Sequence, residues 1–229
     1  MSVAASPRSI EYQHQFVDGR LCTLPVGKAV CVGRNYAEHA KELNNPVPAL
    51  PLLFLKPSTS FVPLSPSFGL PADAGDCHHE LEVALLIGEH LTAATSEQAL
   101  AAIVGIGLGL DLTLRDRQQA LKAAGQPWEI AKAFDGALPL APFYCPSELP
   151  GLSELEFCLH INGELRQLGK SADMLTPVIP LLVYLTTIFT LLPGDVVMTG
   201  TPAGVAALKS GDVLTLQLAG RAGFATKVS

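Results

Sequence analysis

The sequence predicts a mostly β protein with a few helices, an α+β chain around one extended core. Three observations carry that expectation. The 229 residues include 20 Gly and 18 Pro, well above the roughly 12% typical of soluble proteins, and such punctuation suits short strands and turns better than a helix bundle. Apolar runs of strand length recur along the chain. Between two of them stands Asn162-Gly163, the strongest short-range hairpin signal available.

Taken in order, residues 1–27 read as a lead-in with short strands, and 28–229 as a single domain with no internal repeat or linker. Lys28–Val32 suits a buried strand stopped by Gly33, and Tyr36–Asn44 a short polar helix. Pro51–Lys56 is the next strand, followed by a proline-punctuated stretch to Ala74. In His79–Ile87, His79, Leu81, Val83, Leu85 and Ile87 share one face and Glu80, Glu82, Ala84 and Leu86 the other. Thr95–Gln98 is a capping box opening a helix to about Ile103. Gly105–Leu114 reads as a strand, then a helix runs from Arg115 until Gly125 closes it. Leu155–Ile161 and Glu164–Leu168 flank the hairpin turn, and the last third reads as strands separated by glycine turns.

Composition excludes several classes. Charged residues are only 16% and mean hydropathy is +0.34, which excludes disorder and leaves apolar surface for a partner subunit to cover. A net charge of −6 lacks the basic footprint of a nucleic-acid binder. Five cysteines without a CxxC pair fit neither a disulfide scaffold nor a zinc ribbon, and suit a reducing, cytoplasmic setting. The first residues show no signal-peptide core. The uncharged stretch Met174–Leu192 is long enough to weigh as a membrane span. Its prolines and unflanked ends favour a buried helix with Thr176 as N-cap and Pro177 in the first turn.

Candidate chemistry begins with Glu80 and Glu82. At i and i+2 on a strand they project together, about 6.5–7 Å apart. On an edge strand they would simply be solvated; in a core they need a cation or protons. Asp111, isolated in an apolar run, favours the second reading, and the three acids offer only hard oxygen ligands of the kind Mg²⁺, Mn²⁺ or Ca²⁺ prefers. His39 and Glu42 share a helix face, either as a general base with its orienting carboxylate or as a solvated pair. Lys132 could stabilise an oxyanion or pair with Asp135. Gly200-Thr201-Pro202 could offer backbone N–H groups to an anion or be a plain turn. Gly107 and Gly109 lack the dinucleotide fingerprint. His78 and His79, on alternating faces, read as structural.

Six ordered blocks then resemble the fumarylacetoacetate hydrolase family. They are VGRNYAEHAKEL (Val32–Leu43), FLKPST (Phe54–Thr59), HHELEVALLIG (His78–Gly88), LDLTLRD (Leu110–Asp116), PWEIAKAFD (Pro127–Asp135) and MTGTPAGV (Met198–Val205). The chain is similar to the short branch, with its acylpyruvate and fumarylpyruvate hydrolases, and is too short for the extra N-terminal domain of fumarylacetoacetate hydrolase proper. The resemblance implies a mixed β-sandwich roll, a homodimer, and Mg²⁺ or Mn²⁺ (Ca²⁺ in crystals) on Glu80, Glu82 and Asp111. It implies a dyad of His39 and Glu42, a catalytic Lys132, and substrate contacts from Thr201, Gly200 and Arg34. KAFD stands where many relatives have KSFD, and LGLD replaces VALD, without removing a ligand.

The expected activity is hydrolysis of a C–C bond in an acylpyruvate or fumarylpyruvate, giving pyruvate and a carboxylic acid. Oxaloacetate tautomerisation or decarboxylation, and isomerisation of an unsaturated 2-oxo dioate, would use the same enolate chemistry, so the motifs do not choose among them. A catalytically dead metal-binding relative is the rival from another class. The presence of His39, Glu42 and Lys132 beside the three acids speaks against it.

Overall fold

A strand pair, Leu81–Ile87 with Ile103–Leu110, organises the molecule. The computed structural model describes residues 12–43, 46–72 and 75–229. All seven residues of Leu81–Ile87 are buried, so the solvated edge strand that the acid spacing alone permitted is not what forms. The strand lies inside a seven-stranded sheet whose order is Leu52–Lys56, Ala29–Gly33, Val196–Met198, Leu81–Ile87, Ile103–Leu110, Leu138–Leu140 and Phe61–Pro63. Its alternation separates two cores. Leu81, Val83, Leu85 and Ile87 enter the larger one; Ala84 and Leu86 enter the smaller one with Phe143, Val196 and Met198.

The glycines of Ile103–Leu110 are explained by close approach. A Cβ on Gly105 would sit 2.9 Å from Phe143 Cβ, and one on Gly107 3.0 Å from Phe143 Cδ1. Without side chains on that face, the Phe143 ring lies directly against the strand. The residues before and after the pair carry the chemistry. Glu80 separates Leu81–Ile87 from a short strand Cys77–His79. Asp111 follows the last residue of Ile103–Leu110 rather than lying inside a strand running to Leu114, and its N–H donates to the Glu80 carbonyl at 2.8 Å. The chain resumes as Thr113–Leu114, which joins Cys77–His79 and Ala206–Ala207 in a three-stranded sheet.

A five-stranded sheet covers the larger core, in the order Glu164–Lys170, Glu156–Ile161, Val213–Leu218, Phe224–Val228, Ser67–Phe68. The first two are joined by Asn162 and Gly163 at φ of 53° and 83°, the left-handed pair a tight hairpin needs. The Thr95 capping box forms both of its bonds, on a helix that spans Ser96–Ala101, with Ile103 already in the next strand. The helix Arg115–Ala123 ends before Gly125, whose φ is +64°. Over the former candidate span the helix is only Val178–Thr186. Pro177, not Thr176, is its N-cap, and the Thr176 N–H donates to Asn35 Oδ1 at 2.8 Å. Among the described residues no helix is long and apolar enough to cross a membrane.

Gly105→Val should lower Tm through overpacking against Phe143, at a cost of about 1–3 kcal/mol. A thermal melt measures this, and an unchanged Tm would contradict the close approach.

Candidate functional site

At the open end of the central strand pair, three carboxylates converge. One oxygen each from Glu80, Glu82 and Asp111 lies within 4.8 Å of the others, and all three residues are buried. Charges this close in a core are tolerated only with counter-charges, and these come from separate segments. Lys132 Nζ donates to Glu80 Oε2 at 2.7 Å and to Asp111 Oδ2 at 2.6 Å. Asp135, the alternative partner suggested by proximity in sequence, is exposed. Arg115 Nη2 donates to Glu80 Oε1. Lys56, fully buried at the end of its strand, places Nζ 2.8 Å from Asp111 Oδ1. Its Nζ also donates to the carbonyls of Lys132 and of Ala137, the latter at 3.1 Å.

The counter-charges are unevenly shared. Glu80 is held below the usual carboxylate range: burial opposes this, but Lys132 and then Arg115 outweigh it. Glu82 is pushed well above that range by burial and by the charges of Asp111 and Glu80. Among the described residues its one hydrogen-bond donor is the Gly200 N–H, at 2.7 Å. Among the described residues Asp111 Oδ1 has no aligned donor, since Lys56 meets it as a charge and not along a hydrogen-bond axis. An under-neutralised carboxylate and an orphaned oxygen within an all-oxygen set fit a hard divalent ion such as Mg²⁺ or Mn²⁺.

His39 and Glu42 sit on the helix Ala37–Glu42, one residue shorter at its start than the sequence suggests. His39 is buried, so the pair is not merely solvated. Its Nδ1 lies 3.4 Å from Glu42 Oε2. The Glu42 oxygens also accept the Gly204 N–H at 3.0 and 3.2 Å, latching the helix onto the loop after Thr201. Burial lowers the imidazole pKa, against the opposing charges of Glu80 and Glu42, which keeps the ring neutral and able to accept a proton.

Gly200 has φ +99°, and a Cβ there would lie 2.7 Å from Asn35 Cβ, so the loop requires glycine at this point. Thr201 is buried, and its Oγ1 accepts from Gln167 Nε2 at 2.8 Å. Gln167 Oε1 accepts the Leu81 N–H, between the two glutamates, at 2.9 Å and faces His79 Nδ1 at the same distance. Asn35 Nδ2 donates to the Thr199 carbonyl at 2.9 Å.

An open pocket reaches Glu80, the member of the cluster in its lining, and is lined also by His39, Lys132 and Arg115 and, farther out, by Arg34, Lys122 and Trp128. Arg34, at φ 62°, donates to the Pro46 carbonyl at 3.4 Å. Gly200 and Thr201 do not line this opening; Gly200 reaches the cluster through Glu82. Sequence reasoning did not single out Lys56, Arg115, Asn35 or Gln167. Lys56 and Arg115 were detectable as charges within the FLKPST and LDLTLRD blocks, whereas Gln167 lies on a strand of mostly exposed residues and gives no local signal.

Residues 28–229 match the family model described as fumarylacetoacetate (FAA) hydrolase C-terminal. The chain is 50% identical to an oxaloacetate tautomerase of Escherichia coli (strain K12), over 91% of this chain and 96% of that protein. A solved chain from Yersinia pestis CO92 superposes with a TM-score of 0.93 at 46% identity, covering 95% of this chain and 100% of that one. The fumarylpyruvate hydrolase of Pseudomonas aeruginosa, solved in complex with Mn²⁺ and pyruvate, superposes with a TM-score of 0.88 at 33% identity, over 99% of each chain.

Replacing one crowded acid tests the electrostatics. Glu82→Gln should raise Tm of the protein in EDTA, because it removes the carboxylate with the poorest compensation. It should also abolish the Tm increase that Mg²⁺ gives the wild type. Differential scanning calorimetry reads both, and an unaltered Mg²⁺ response would remove Glu82 from the ligand set.

Proposed function

The chain belongs to the fumarylacetoacetate hydrolase family, and from that premise we propose that it is a metal-dependent oxaloacetate tautomerase. The observation that carries this reading is that His39 and Glu80 line one pocket. A neutral base and a carboxylate of the acidic cluster at one opening are what proton transfer beside a 2-oxo group requires. Among the chemistries that such a site can run, 50% identity over 91% of the chain to the Escherichia coli tautomerase favours this one.

Glu80, Glu82 and Asp111 would hold the divalent ion, which supplies Lewis acidity at the 2-oxo carboxylate end of the substrate. His39 removes a proton from carbon 3. Glu42, anchored by the Gly204 N–H, faces Nδ1 and stabilises the imidazolium that forms. Return of the proton to the 2-oxo oxygen completes the keto–enol exchange without bond cleavage. Lys132 fixes Glu80 and Asp111 and adds positive charge where an oxyanion develops.

C–C hydrolysis is the second reading, favoured by the likeness to the Pseudomonas aeruginosa fumarylpyruvate hydrolase. In it His39 would deprotonate water instead. A homodimer completes the proposal: Leu165, Leu168 and Val213 are exposed along the outer face of the five-stranded sheet, an apolar surface suited to a second copy.

Stopped-flow absorbance with oxaloacetate and Mg²⁺, beside product analysis with fumarylpyruvate, separates the two reactions. EDTA should abolish turnover, and Mg²⁺ or Mn²⁺ should restore it. His39→Ala should slow tautomerisation by about 10²–10⁴-fold while calorimetry finds Mg²⁺ binding retained. A wild-type rate in that variant would refute the base assignment. Light scattering should return twice the chain mass of 24.1 kDa.

A further inference from the structure

We propose that Lys122 binds a second, distal carboxylate of the substrate, so that the pocket selects 2-oxo-dicarboxylates over 2-oxo-monocarboxylates. The inference rests on the reading above that the pocket takes a 2-oxo acid, and it assigns a specificity-determining residue within it.

Arg115, Gln118 and Lys122 fall at i, i+3 and i+7 of the helix Arg115–Ala123, and therefore on one stripe. All three line the pocket. Arg115 and Gln118 are buried and joined, Nη1 to Oε1, at 2.7 Å. Lys122 lies about 10 Å farther along the helix axis, at its exposed end. The stripe thus runs from the acidic cluster to the rim.

The rings of Phe54 and Trp128 are 5.1 Å apart between centroids. Lys132 Nζ lies 5.0 Å from the Phe54 centroid, and Lys122 Nζ lies 5.9 Å from that of Trp128. Two ammonium groups therefore mark the two ends of one aromatic wall, each within reach of a ring face. A linear diacid lying along that wall, with its 2-oxo carboxylate end at the cluster, presents its other carboxylate to Lys122.

Lys132 and Arg115 are already committed to Glu80 and Asp111. Lys122 has no carboxylate and no hydrogen-bond acceptor among the described residues. Burial, and after it the charges of Arg34, Arg115 and Lys132, lower its pKa against the opposing charge of Glu80. Lys122 is therefore an ammonium in the pocket lining that the described residues leave available to an anionic ligand. Lys122 also lies in the last turn of its helix, where a cation interacts favourably with the helix dipole. That role needs no ligand, so the test must distinguish the two.

The experiment is calorimetric titration of the full chain with Mg²⁺ and two unreactive ligands of equal length, 2-oxoglutarate and 2-oxopentanoate, which differ only in the distal carboxylate. The wild type should bind the diacid about tenfold more tightly, as one hydrogen bond to a charged group allows. Lys122→Gln should erase that preference and leave 2-oxopentanoate affinity unchanged; Lys122→Arg should keep it. An equal loss for both ligands, or a preference that survives in Lys122→Gln, overturns the proposal alone. Failure of both ligands to bind the wild type overturns the 2-oxo acid reading and the proposal with it.

Discussion

Three buried carboxylates at the open end of one strand pair impose the condition that the rest of the site meets. Glu80 and Asp111 are joined through the backbone before their side chains meet any cation, so their mutual repulsion is built into the strand register. Counter-charges must then arrive from elsewhere: Lys56 from the sheet edge, Arg115 and Lys132 from two short helices. Each of these cations is itself buried and would be costly alone. The network is therefore an all-or-none arrangement, in which removing any one charge strands another.

Among the described residues the network leaves Glu82 with a backbone N–H and no cation in contact. A site with every acid matched would have no use for a further positive charge. Here the deficit is localised at one carboxylate, beside a pocket that also contains a neutral imidazole. Electrostatic strain of this kind is affordable because the surrounding strands are buried on both faces and hold the geometry.

Two neutral side chains give the site its precision. Gln167 reaches from the five-stranded sheet to the peptide between Glu80 and Glu82 and to Thr201. Asn35 ties the start of the His39 helix to the Thr199 backbone and to the chain before Val178–Thr186. Both amides are buried and fully occupied, so they fix relative positions without adding charge. The Glu42 contact with Gly204 then sets where the histidine stands against the cluster.

The sequence by itself determined which side chains share a face. Alternation in His79–Ile87 placed both glutamates together, the Thr95 box and the Asn162-Gly163 turn formed as their local chemistry requires, and the isolation of Asp111 in an apolar run marked it as a paired or metal-binding acid. These signals are local, because strand period, cap geometry and turn dihedrals depend on near neighbours. Tertiary structure alone decided that the strand is central rather than at an edge, that Asp111 faces Glu80 across a strand exit, and that Lys132 pairs with those acids rather than with Asp135. It likewise decided that the helix after Thr176 starts from Pro177, and that Lys56, Arg115 and Gln167 converge on the acids. The physical reason is that burial and charge pairing are set by contacts between segments far apart in the chain, and a residue's own neighbours in sequence carry no record of which strand will lie beside it.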